Sequence, residues 1–177
     1  MTQNIDLPPP SSPVPELGLL LSLLTQTTQE WREMLGNVPR EIVTWQVGAD
    51  GQSIGGLLLH IADVEGYWLH EAISGQVRPP EVVAALLSEE TDQANVHWPT
   101  PPDQPLEWYY AQLDSVRAQT LAWVQALQSA HQVLTHPARE GKTYTVRWLL
   151  GHVVAHEAYH GGQAVLLSLL PAQAAAS

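Results

Sequence analysis

Hydrophobic positions recur at three- and four-residue intervals in four segments of the chain, and almost nothing alternates with the period of a strand. The first segment predicts a helix over about 15–36, with Leu17, Leu20, Leu21, Leu24, Trp31 and Leu35 on one stripe and Gly36, Asn37 and Pro39 ending it. The second spans about 53–74. Ser53 can accept from an orphan backbone N–H at its start, and Gly75 stops it. Gly55 and Gly56 cost that helix about 1 kcal/mol each against Ala, so they suggest close approach of another helix or a ligand. The third covers about 106–130, its stripe running Leu106, Tyr109, Leu113, Val116, Thr120, Trp123, Leu127. The fourth runs from about Thr145, another possible N-cap, to Leu170, before Pro171. Between helices two and three lies 77–105, with Pro79, Pro80, Pro99, Pro101, Pro102 and Pro105 around a possible short helix at 81–95. A loop with Pro137 and Gly141 joins helices three and four. The pattern predicts an all-α fold, a four-helix bundle with a long proline-rich crossover. Residues 15–171 form one domain, 1–14 a disordered or extended lead-in, and 172–177 a loose tail.

Helix four carries only Arg147 and Glu157 as formal charges. With His156 at the origin of a helical wheel, Leu149, Val153 and Leu167 lie beside it, and Val154, Ala158 and Val165 lie nearly opposite. A helix apolar on both sides is expected to be central, with part of it available as a homodimer interface.

Composition narrows the function. The 177 residues are 45% hydrophobic and 14% charged, as in a compact globular chain. No apolar run approaches the roughly 20 residues that span a bilayer, and the acidic, proline-rich N-terminus does not read as a signal peptide. A cytoplasmic location is expected. Absence of cysteine excludes disulfides, thiolate metal sites and a cysteine nucleophile. Seven basic against 18 acidic residues give a net charge of −11, which repels nucleic acid and leaves small molecules or proteins as partners.

Three of the eight histidines stand at 152, 156 and 160. Residues four apart place their Cβ atoms about 6 Å apart on one face, so two imidazoles can converge on one ion. All three cannot, because His152 and His160 are about 12 Å apart along the axis while metal–nitrogen bonds are about 2.1 Å. The third ligand must come from elsewhere. His60 is the candidate: it sits in mid-helix, and Leu57, Val64 and Tyr67 share its face. The expected metal ligands are therefore His60, His156 and His160, with His152 behind them or simply packed. His70 lies off that face, and His97, His131 and His136 fall in loops or at helix ends. Asp63, one turn beyond His60, is a candidate to orient a ligand or act as a base. Glu65 and Glu157 are expected to be solvated or capped, with Glu157 kept as a catalytic candidate beside Asp63 and Tyr159. Tyr67 and Tyr159 lie close to the ligand faces. The seven tryptophans are expected in the core, with Trp68 or Trp148 able to line a pocket.

The run HEAYH at 156–160 matches H-E-x-x-H literally. A zinc protease of that type needs a third ligand downstream, and no His, Asp or Glu follows His160. The upstream sheet and cleft are also missing from the pattern.

Two stretches resemble the DinB/YfiT-like metal-binding superfamily of four-helix proteins: TWQVGADGQSIGGLLLHIADVEGYWLH at 44–70 and TVRWLLGHVVAHEAYHGGQAVLL at 145–167. The second ends in the H-x-x-x-H-x-G-Q signature. The resemblance implies His60, His156 and His160 as ligands and a homodimer. One departure is Gly161, where many relatives carry Arg before Gly-Gln. Three imidazoles leave a coordination position open, as in catalytic sites. Nitrogen donors suit Zn or Ni, with Fe and Mn also open. Such an ion can activate water for hydrolysis or bind a low-molecular-weight thiol as thiolate. The resemblance implies the second, a metal-dependent thiol S-transferase in detoxification or stress response. A metal-dependent hydrolase and a non-catalytic metal-binding or interaction protein remain the alternatives.

Overall fold

The structure is a computed structural model that describes residues 6–7, 12–91 and 97–174, with side chains to 170. Most of the expected lead-in, the end of the expected helix over 81–95, and the last residues of the tail lie outside the described residues.

The fold is mainly helical. α1 spans Pro15–Leu35, α2 Arg40–Thr44, α3 Ile54–Glu65, α4 Ala72–Ser74, α5 Pro80–Ala85, α6 Leu106–Ala126 and α7 Val146–Ala174. Between α3 and α4 the same helix continues as a π-helical stretch, Gly66–Glu71. The expected caps are present: Gly56 N–H donates to Ser53 Oγ at 3.0 Å and Trp148 N–H to Thr145 Oγ1 at 3.3 Å. Gly36 ends α1 at φ 62°, a conformation that costs glycine little.

α7 packs along α1 and α3, and α3 also packs on α6. Leu17, Leu21, Leu24, Trp31 and Leu35 of α1 are buried, as their stripe predicts. Gly55 explains its own place in α3: a Cβ there would stand 2.6 Å from the Tyr109 ring of α6, so only glycine lets the two helices meet. Fully burying one leucine of this kind contributes about 1.5–3 kcal/mol.

Four expectations need correction. The stripe of α6 is rotated from the one read off its apolar residues: Arg117 and Val124 are buried, while Val116 and Trp123 are only half-buried. α7 is not buried on both sides of its own chain, because Tyr159, Leu166 and Leu169 are exposed. The loop after α6 contains a hairpin, β1 (Val133–Thr135) and β2 (Thr143–Thr145), paired antiparallel with Leu134 opposite Tyr144. Two strands of three residues are too short to register as a period, and Leu134 and Tyr144 hold them by packing into the apolar cluster around Trp68. Finally, helix two is not uniformly α-helical. Its π stretch shifts the side-chain phase beyond Glu65 and buries His70 and Glu71 along with Trp68 and Leu69.

Candidate metal centre

His60 reaches the core from the middle of α3, and His156 and His160 reach it from adjacent turns of α7. One ligand atom from each lies within 4.8 Å of the other two. The Nε2 atoms of His60 and His156 face each other at 3.1 Å. Nitrogen donors sharing an ion at bond lengths of about 2.1 Å stand roughly 3.0–3.4 Å apart, so this spacing suits a common cation. His60 and His160 are buried and His156 is half-buried, which puts the accessible side of the cluster next to His156.

Two neighbours fix the rings. Gln163 Oε1 lies 2.7 Å from His160 Nδ1. An amide oxygen only accepts, so Nδ1 carries the proton and Nε2 keeps its lone pair for the centre. Trp98 packs edge-on to His60, ring centroids 5.3 Å apart, and lies 6.4 Å from His160. The indole is held in place by its own backbone: Trp98 N–H donates to Asp50 O, and Gln46 Nε2 donates to Trp98 O. No sequence pattern marks Gln46 or Trp98, because their signal is a loop closing over a helix start.

Protonation favours metal binding. Burial, with His160 acting the same way, lowers His60 to about 3. Burial first, then His160, His60 and His152, lowers His156 to about 2. Burial lowers His160 as well, against the hydrogen bond it donates to Gln163. All three are neutral imidazoles at neutral pH, the form that coordinates. The donor set is three nitrogens with no thiolate and fits Zn or Ni.

The acids behave differently from expectation. Glu65 and Glu157 are fully buried rather than solvated. Both meet the Arg117 guanidinium: Nη2 donates to Glu65 Oε2 at 2.8 Å and to Glu157 Oε2 at 2.5 Å, and Nε to Glu65 Oε1 at 3.0 Å. Thr28 at 2.5 Å and the Trp31 indole N–H at 3.0 Å donate to Glu157 Oε1. Burial alone would lower the Arg117 pKa, but the two carboxylates outweigh it and raise it. Asp63 accepts from Arg78 at 2.7 Å and also from Ser88. Tyr159 is exposed, with its ring 4.8 Å from that of His160.

His152 lies one turn from His156, ring centroids 6.2 Å apart, and stacks on Trp148 at 5.0 Å with an interplanar angle of 6°. It also touches Trp68, so Trp68, Trp148 and His152 make one aromatic wall beside the centre. His70, off the ligand face, and His136, in the loop after β1, are both buried. His70 Nε2 pairs with Thr120 Oγ1 at 2.9 Å, and His136 Nε2 donates to Tyr67 O at 2.8 Å.

Gly161 is where the resemblance expects arginine. A Cβ there would stand 2.6 Å from the Trp31 ring, so the indole takes the space a side chain would need. No helix among the described residues is long and apolar enough to cross a membrane. A search of curated proteins finds no match to the chain. The family model described as mycothiol-S-transferase matches residues 19–168, which include all three histidines, Gln163 and the buried Arg117 cluster. The chain belongs to the mycothiol-S-transferase family, one of the DinB/YfiT-like families.

Proposed function

We propose that the chain is a metal-dependent thiol S-transferase acting on small molecules in the cytoplasm. The observation that carries the reading is the convergence of His60, His156 and His160 within 4.8 Å in a chain of this family. In this reading the three imidazoles hold one divalent cation, Zn or Ni, in a four-helix bundle whose 77–105 segment crosses between its halves as part of a single domain over 15–171. Such an ion, when bound, stabilises the thiolate form of a low-molecular-weight thiol, and the chain without cysteine takes its sulfur from that cosubstrate.

The protein's own residues supply position and environment. Trp98 and Gln163 keep His60 and His160 in place. The half-buried edge at His156 and His152 admits substrate, and Trp148 and Trp68 offer it flat apolar surface. Asp63 and Glu157 are bound to arginines, and we assign them to holding the helices; Tyr159 remains the candidate to touch substrate. The exposed Tyr159, Leu166 and Leu169 of α7 and Met34 of α1 support a homodimer through this side.

The test is elemental analysis of untagged protein followed by thiol conjugation to a generic electrophile. Conjugation should disappear in His156→Ala and on chelation, and return when metal is restored to the wild type. Undiminished conjugation by metal-free protein refutes the transferase reading. Turnover of esters or amides without thiol would instead identify a hydrolase.

A further inference from the structure

Arg139 stands apart among the six arginines. Arg32, Arg40, Arg78, Arg117 and Arg147 each form an ion pair with a carboxylate. Arg139 forms none among the described residues. Its Nε donates to the Tyr67 hydroxyl at 2.9 Å, and its guanidinium carbon lies 4.8 Å from the Trp68 ring centre and 5.6 Å from that of Tyr67. With Nε used, neither terminal nitrogen has a partner among the described residues, and the two can grip an anion in the two-pronged geometry that suits a carboxylate.

The loop is built to hold Arg139 there. His136 uses both ring nitrogens: Nδ1 accepts from Ala138 N–H at 3.1 Å, and Nε2 donates to the Tyr67 carbonyl at 2.8 Å. The turn between β1 and β2 is thereby pinned onto the π stretch that carries Tyr67 and Trp68. Beside it lies a cavity of about 410 Å³, whose wall includes Asp63, Val64, Tyr67, Trp68 and Arg139. Asp63 and Val64 are one turn past His60 on the same helix, so the cavity begins about 5 Å along the axis from the metal ligand, and Tyr67 lies about 10 Å along. Half-buried Asp63 and buried Glu71 both bond to Arg78, which sets one cation against two carboxylates, and Glu89 is exposed at the rim. Arg139 is the cation of this cavity that bonds no carboxylate among the described residues.

We propose that Arg139 is the anion-recognition residue of this cavity. The substrate then carries a carboxylate or similar anion about 10 Å from the atom that reacts at the histidines, and is extended rather than the size of cysteine. In a chain of net charge −11, one fixed cation decides where an anionic group settles. The inference rests on the reading of the histidines as the reacting end.

Calorimetric titration of metal-loaded protein with glutathione and its uncharged diethyl ester tests the thiol as the source of the anion. Titration with 6-maleimidohexanoate, whose chain sets the carboxylate well apart from the reacting carbon, and with its methyl ester tests the electrophile. In at least one pair the charged member should bind the wild type about tenfold more tightly. Arg139→Gln should abolish that preference while keeping metal content and thermal midpoint, and Arg139→Lys should retain part of it. The pair that shows the preference identifies which substrate bears the anion. An unchanged charged-to-neutral ratio in Arg139→Gln, or no preference in either pair, overturns the proposal even if thiol conjugation is intact. Failure of the loaded protein to conjugate any of glutathione, cysteine and mycothiol sinks the transferase reading, and this inference with it.

Discussion

Arg117 Nη2 donates at 2.5 Å to Glu157 Oε2, on the flank of the helix face that carries His156 and His160. The same guanidinium holds Glu65 of α3, and its Nη1 reaches Thr28 of α1 at 2.8 Å, so one side chain of α6 ties together the helices that carry the ligands. Removing one partner of such a group leaves uncompensated buried charge. Arg117→Met is expected to cost about 3–5 kcal/mol in urea unfolding. Adding Glu65→Gln and Glu157→Gln should restore a large part of it. A single-variant loss below about 1 kcal/mol contradicts this account.

Gly161 tests the Trp31 contact. Gly161→Ala should lower stability by about 1–3 kcal/mol, because the indole must shift to admit the methyl group and that movement strains its hydrogen bond to Glu157. Gly161→Arg, which restores the residue common among relatives, should cost at least as much. Trp31→Leu made first should shrink the added penalty of Gly161→Ala, which a double-mutant cycle in urea would detect. Independent, additive penalties would show that the two residues do not press on each other.

These two clusters also mark where the sequence was legible. His60, His156 and His160 were readable because helical spacing fixes which side chains share a face, and the structure brings them together. The starts of α3 and α7 were readable because Ser53 and Thr145 cap by local chemistry. Arg117 was not readable: its burial depends on Glu65 and Glu157, which are 52 and 40 residues away, and charge alone argues for solvent. Arg139 escaped for a similar reason, since its aromatic partners lie on a helix about 70 residues earlier and the hairpin that presents it is too short to show a period. The π stretch left no pattern, because an inserted residue shifts the phase without changing the composition.

Acid should loosen the protein through its histidines. His60 and His156 are held at about 3 and about 2 in the folded state, against about 6.5 in the unfolded chain. The unfolded chain therefore binds more protons below pH 6.5. Stability is fully present above that pH and is lost progressively as pH falls toward 3, each such histidine contributing at most about 1.4 kcal/mol per pH unit. Unfolding midpoints of metal-free protein should be flat from pH 8 to about 7 and drop steeply below 6. His60→Gln should flatten that drop. An acid profile identical in this variant and the wild type would remove the histidine cluster from the explanation.

Metal loading should be visible as stability even without turnover. A ligand that binds only the folded state stabilises it by RT ln(1 + [L]/Kd), about 2.7 kcal/mol when free metal exceeds Kd a hundredfold. For wild-type protein, adding Zn or Ni should raise the thermal midpoint by several degrees, and chelation should reverse it. His60→Ala should abolish the shift, because His156 and His160 alone leave two donors on one helix and no third from α3. Gln163→Ala should weaken it while keeping it measurable, since Gln163 only fixes which nitrogen of His160 carries the proton. His152→Ala should leave it intact: that ring stacks on Trp148 and stands a full turn behind His156. Equal metal-dependent shifts in His60→Ala and wild type would place the cation elsewhere in the chain.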